Sequence, residues 1–234
     1  MNCCNLLRPA PKDIFEYHQR LIEADALRKR EFPVFKSAKT DVSGNNIIIS
    51  WLETIEAAAG LFEDERDWAD LNGEEISILL GLKHAGKEWG LLGNMAVAGK
   101  AVQAFRQLPD VRKFIRDQLG FVLRAKNVGN VAANVIGSIS ALPGFSTGVA
   151  TRLIALARPE FGVSVNNGSA PALAGLMGWR QNPIALANPK NYSMLLDWVF
   201  EQPWHKSPEP EEEDAHRVWD MRAALIDVFV YEPP

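Results

Sequence analysis

The residues best suited to chemistry in this chain begin with the run Leu142-Pro143-Gly144-Phe145-Ser146-Thr147-Gly148, which opens directly onto the apolar positions Val149, Leu153, Ile154 and Leu156. Pro143 and Gly144 make a turn, and the small residues from Ser146 to Gly148 fall in the first turn of the next helix. Backbone N–H groups at a helix start lack intrahelical acceptors, and the helix dipole lets them hold an anion without a side-chain cation. Val135, Ile136 and Ile139 give a matching apolar face before the turn, so the unit reads helix, tight hairpin, helix. Such a unit suits the phosphate backbone of DNA, with Gly144, Phe145, Ser146, Thr147, Gly148 and Arg152, and Asn167 further along, as the contacting residues. Beyond it, the apolar segment Phe161-Gly162-Val163-Ser164-Val165 delivers Asn166 and Asn167. An amide can position water but cannot take its proton at neutral pH. The same two residues also fit as caps ahead of Ser169-Ala170-Pro171. Asp227, in the last apolar stretch near Arg222, is the alternative catalytic carboxylate; the two could form a buried ion pair or the mouth of a pocket.

Residues 128–170 resemble, without a gap, the helix-hairpin-helix DNA glycosylases, including the endonuclease III and 8-oxoguanine glycosylase types. The resemblance rests on Leu142-Pro143-Gly144, on Gly148-Val149-Ala150, and on Val165-Asn166, which stands 22 positions after Gly144 where the family places its catalytic Asp. Ser146 occupies the usual place of a second glycine. Gly148 occupies the slot at which bifunctional members carry a Schiff-base lysine, which implies no imine chemistry. The resemblance therefore implies a monofunctional enzyme that hydrolyses the N-glycosidic bond of a damaged or modified base. The alternative is a DNA-binding or scaffold protein of the same fold without turnover. Asn166 itself admits three readings: it orients water, it marks lost chemistry, or it is an inactivating replacement of Asp.

The net charge of −4 is unusual for a DNA binder until it is mapped. Lys83 to Glu160 holds eleven cations and four carboxylates, a local +7, which leaves −11 elsewhere. Clustered cations release counterions from DNA, and Lys126 and Arg152 in this island are candidate phosphate contacts. The acidic run from Glu209 to Asp214 precedes the last helix, where carboxylates oppose the positive helix end.

Trp89, beside Lys83, His84 and Lys87, and Trp204, beside His205, are candidate walls of a base pocket, since an enzyme acting on a base must take it out of the stack. Trp204 reads better as a lid on the core. The four histidines are dispersed with no ligand pair at helical spacing, so no metal is expected. No Walker or dinucleotide loop is present. The two cysteines, Cys3 and Cys4, cannot supply the four thiolates of a conventional iron–sulfur cluster, and no cofactor is expected. They fit reduced thiols. With no apolar run of about 20 residues and no charged leader ahead of an apolar stretch, the expectation is an intracellular, cytoplasmic, nucleoid-associated protein whose partner is double-stranded DNA and not a membrane.

The elements that must position these residues are helical. Apolar spacing of three and four recurs in Ile14-Tyr17-Leu21, Ile48-Leu52-Ile55, Ile76-Leu79-Leu80 and Val111-Phe114-Ile115-Leu119-Val122. Asn72 with Glu75 predicts a capping box, and Pro109 and Pro189 suit first helical positions. Ile47 to Ile49 could be a short strand, though it reads better as the opening of a helix; no set of alternating strands is expected. The reading is an all-α helix-hairpin-helix glycosylase-like fold over 1–234, one helical unit or two closely packed lobes. Residues 128–170 hold the hairpin and active-site segment, and 188–234 the C-terminal helices, the last over 215–231. Linkers are expected at 31–46, 91–97, 180–188 and 202–210.

Overall fold

The computed structural model describes residues 3–28, 47–63, 66–95 and 98–231, and the chain is mostly helical, as expected. Among the described residues the α-helices are α1 (Ile14–Arg28), α2 (Trp51–Ala59), α3 (Gly73–Leu80), α4 (Gly99–Gln107), α5 (Pro109–Arg124), α6 (Val128–Ser140), α7 (Thr147–Ala157), α8 (Ala170–Met177), α9 (Pro189–Phe200), α10 (Glu213–Asp220) and α11 (Ile226–Val230). A small sheet was not expected. The two-residue strands β1 (Ile47–Ile48), β2 (Lys83–His84) and β3 (Lys87–Glu88) pair in the order β1-β3-β2, and α2 starts only at Trp51.

Local rules set most helix starts. Asn72 accepts from Glu74 N and Glu75 N while Glu75 returns a bond to Asn72 N, the predicted capping box. Ser50 and Glu53 do the same for α2. Pro109 and Pro189 sit in the first turns of α5 and α9. Glu212 caps α10, with Glu213 and Asp214 in its first turn against the positive helix end.

The expected last helix over 215–231 is in fact two. The carbonyl of Pro159 takes the amides of Ala223 and Ala224 at 3.1 and 2.9 Å, which diverts the chain between α10 and α11.

α6 lies at the centre, packed on α5, α7 and α9. α7 is buried on every side, from Val149 to Ala157, so it has no face toward solvent. The two ends of the chain meet where α1 packs on α10 and α11. There the Tyr17 ring stacks on Trp204 at 4.3 Å and its hydroxyl donates to the Arg222 carbonyl at 2.9 Å. The expected linker at 31–46 lies outside the described residues. The described part of the one at 91–97 is no linker, since Leu91, Leu92, Gly93 and Met95 are buried.

Candidate nucleic-acid interface

The hairpin forms as its residues dictate. Phe145 N donates to Leu142 O at 3.1 Å, and Gly144 takes φ +86°, a conformation glycine adopts without steric cost. Ser146 caps α7 by accepting from Val149 N at 3.3 Å. Among the described residues the amides of Thr147 and Gly148 have no acceptor, and Gly144 and Ser146 are exposed. Phe145 corrects the expectation of a DNA contact. Its side chain is buried and its amide is already used, so it anchors the turn. Lys100 stands beside the turn. A methyl on Gly144 would fall 2.6 Å from Lys100 Cβ, which brings the exposed start of α4 to the hairpin. Nothing in the spacing of the two residues signals that meeting.

Hydroxyl groups hold the segment leading to Asn166. Tyr192 Oη accepts from Val163 N at 3.0 Å and donates to Val163 O at 2.9 Å. Thr151 Oγ1 accepts from Val165 N at 3.1 Å, and its single proton serves Gly148 O at 3.1 Å or Val165 O at 3.3 Å. The first turn of α7 and the 163–166 segment are thereby joined, and a Cβ on Gly148 would lie 3.3 Å from Val165 O.

Asn166 is half-buried and opens the turn into α8. Its Oδ1 accepts from Gly168 N at 2.8 Å and Ser169 N at 3.2 Å, which fixes the amide orientation. Among the described residues the buried Nδ2 group has no hydrogen-bond partner, and it lies against Gly93. Asn166 thus offers an N–H, not an acceptor, at this site. Asn167 beside it is exposed.

The structure corrects Arg152 as a DNA contact. It is fully buried, and its five N–H groups donate to the carbonyls of Leu79, Leu91, Gly93, Ile78 and Trp89 at 2.5 to 3.1 Å. Burial pushes its pKa down to about 9, which leaves it charged at neutral pH. Asp227 cannot meet a substrate either, because it is fully buried. Its Oδ2 accepts from Trp51 Nε1 at 2.9 Å and Leu92 N at 3.2 Å, and burial raises its carboxyl to about 6. Arg222 is not its partner; that guanidinium lies 4.2 Å over the Trp219 ring.

Trp89 and Trp204 are 5% and 1% exposed, too enclosed to stack on a base; both belong to the core. His205, next to Trp204, is held neutral: burial pushes its pKa down to about 4.

The basic island is not one face. Arg112, Arg116 and Arg158 turn their guanidinium groups onto backbone carbonyls, as Arg152 does. Lys83, Lys87 and Lys113 pair with Glu88, Glu74 and Asp67. Lys100, Arg106, Arg124 and Lys126 stay exposed. Lys126 lies at the opposite end of α6 from the hairpin, roughly 20 Å away across 13 helical residues.

Two cavities, of about 520 and 380 Å³, flank Phe121 and Arg124 on α5, and neither borders Asn166 or the hairpin. Among the described residues no group of three His, Cys, Asp or Glu side chains is placed to hold a metal, and no helix is long and apolar enough to cross a membrane. No family model, curated protein or solved structure matches the chain.

Proposed function

We propose that this chain is a DNA-binding base-excision protein of the helix-hairpin-helix glycosylase type. On this reading the free amides of Thr147 and Gly148 seat a backbone phosphate of double-stranded DNA, with the exposed Lys100 against Gly144 of the same hairpin. The observation that carries the reading is the Thr151 hydroxyl, which ties Gly148 to Val165 and so sets Asn166 beside the phosphate-binding turn. Gripping a backbone alone would not need that segment docked there. The Asn166 N–H has no acceptor among the described residues but is enclosed beneath Gly93, so on this reading it holds a sugar or water oxygen only after the turn at 91–93 shifts. In the reaction the C1′–N bond breaks with its electron pair leaving on the base, water adds to the sugar carbon, and the water's proton passes to solvent. Gly148 offers no amine, so no imine forms.

A specific observation favours a second reading, a DNA-binding protein without turnover. The Asn166 acceptor is committed to two backbone amides, and Asp227 is sealed in the core. Duplexes carrying damaged or modified bases separate the two. Excision predicts free base and alkali-labile abasic sites, with no adduct trapped by borohydride. Tight binding without base release by any substrate assigns the second reading, and a trapped adduct rules out the water-only route.

A further inference from the structure

We propose that Asp227 is a positioning residue for Asn166: by accepting the Leu92 amide it fixes the turn at 91–93 whose Gly93 covers the Asn166 side-chain amide. The proposal rests on the reading of Asn166 as the working residue of a DNA site. Its starting point is a backbone that would not hold itself. Leu92 has φ +66° and Gly93 φ +98°. A leucine in the left-handed region is strained, and such a residue persists only where its surroundings over-determine it.

The surroundings do so from two sides. Arg152 Nη1 donates to Leu91 O at 2.5 Å and Gly93 O at 2.9 Å, and Ser164 Oγ donates to Leu92 O at 2.6 Å. These groups take the carbonyls. Asp227 takes the amide, with Leu92 N at 3.2 Å from Oδ2, and the Trp51 indole N–H at 2.9 Å sets the carboxyl orientation. The turn is therefore strung between a buried cation on α7 and a buried carboxyl on α11. Among the described residues, Arg28 from α1 and Tyr231 after α11 are the other charged or titratable groups that face Asp227.

The turn has one consequence at the site. A Cβ on Gly93 would stand 3.0 Å from Asn166 Nδ2 and 3.3 Å from Asn166 Cβ, so the placement of Gly93 sets the space above the amide. Ser164, which holds Leu92 O, also offers its own carbonyl to Ser169 Oγ at 3.2 Å, and that hydroxyl accepts from Asn166 N at 3.1 Å. Asp227, Leu92, Ser164, Ser169 and the Asn166 backbone amide form one hydrogen-bonded path. Asp227 acts through Leu92 and Gly93, never on a ligand itself.

The test is amide hydrogen exchange by NMR on the full chain, comparing the parent with Asp227→Leu, which keeps the volume but removes the acceptor, and Asp227→Asn, which keeps an acceptor. The Leu92 amide is expected to exchange at least about a hundredfold faster in Asp227→Leu, with the Asn166 side-chain resonances displaced, and Asp227→Asn is expected to restore both. A folded Asp227→Leu whose Leu92 exchange and Asn166 resonances match the parent overturns the proposal. If Asp227→Leu does not fold, the parent decides, because a Leu92 amide exchanging at the rate of an open loop overturns it equally. Gly93→Ala gives an independent check and must displace the same Asn166 resonances. Failure of base release by the parent would overturn the excision reading while leaving the exchange result standing.

Discussion

Gly144 and Lys100 meet so closely that the hairpin and the start of α4 form one surface: a methyl on Gly144 would fall 2.6 Å from Lys100 Cβ and 3.0 Å from the Ala101 amide nitrogen. The position also needs φ +86°. Gly144→Ala therefore meets two costs, the left-handed backbone and the clash, together about 2–4 kcal/mol. The variant is expected to melt at lower temperature and to lose most DNA affinity by fluorescence anisotropy, because the turn that presents Thr147 and Gly148 is displaced. A folded Gly144→Ala with parental affinity would remove the hairpin from the interface.

Lys100 and Arg152 should separate surface cations from buried ones. Lys100→Gln is expected to weaken binding to all duplex sequences alike and to flatten the plot of log affinity against log salt by about one unit, the signature of one lost phosphate contact. Arg152→Gln should do something else. It leaves carbonyls on Leu79, Leu91, Gly93, Ile78 and Trp89 without their donors, a destabilisation of more than about 3 kcal/mol. Urea titration reads that loss. An Arg152→Gln variant of parental stability with a reduced salt slope would put Arg152 back on the DNA side.

These two residues also mark where the sequence is legible and where it is not. Caps and first-turn prolines act within four residues, so the Asn72–Glu75 box and the starts at Pro109 and Pro189 could be read directly. The Asx turn at Asn166 is equally local. Arg152 misleads because cations usually lie outside. The signal that could have placed it is the helix around it, apolar on every face from Val149 to Ala157, which marks α7 as central and gives any arginine there no route to solvent. Long-range meetings leave no such trace. Tyr17 stacks on Trp204, and the Pro159 carbonyl breaks the last helix through Ala223 and Ala224. The stretch 91–97 reads as a linker, yet its turn at 91–93 is buried because Arg152, Ser164 and Asp227 satisfy its backbone groups from the core.

Asp227 gives the fold a pH dependence of defined sign. Burial raises its carboxyl from 3.8 to about 6, so the folded chain holds a proton that the unfolded chain has already lost between those values. The contribution is full below about pH 4 and is lost as pH rises through about 6, worth about 3 kcal/mol. Glu16 and Glu74 are shifted the other way, by hydrogen bonds to Lys12 and Lys87, and oppose it at acid pH. The comparison with Asp227→Asn cancels them. Chemical denaturation at several pH values should show the variant gaining on the parent from pH 4 to 6 and holding level above. A difference that stays flat across pH 4–7 would mean that Asp227 does not titrate in this range.

Asn166→Asp is the most direct probe of chemistry. The side-chain oxygen that accepts from Gly168 N and Ser169 N is kept and faces the start of α8, but the second oxygen takes the buried place of Nδ2 with no donor, so the variant should fold with stability lowered by about 1–3 kcal/mol. The second carboxylate oxygen replaces Nδ2 beneath Gly93, so on the excision reading it takes a proton from water and stabilises positive charge on the sugar only where the turn at 91–93 opens to admit them. Base release is expected to rise by at least about a hundredfold, the lower end of what a positioned general base contributes. Affinity should fall slightly, because the new charge lies near the phosphate seat. Asn166→Ala should lower release with little change in affinity if the amide holds a reacting oxygen. If neither the parent nor the Asp variant frees a base from any damaged or modified duplex while both still bind it, the protein is a DNA-binding relative whose 163–166 segment serves the fold alone.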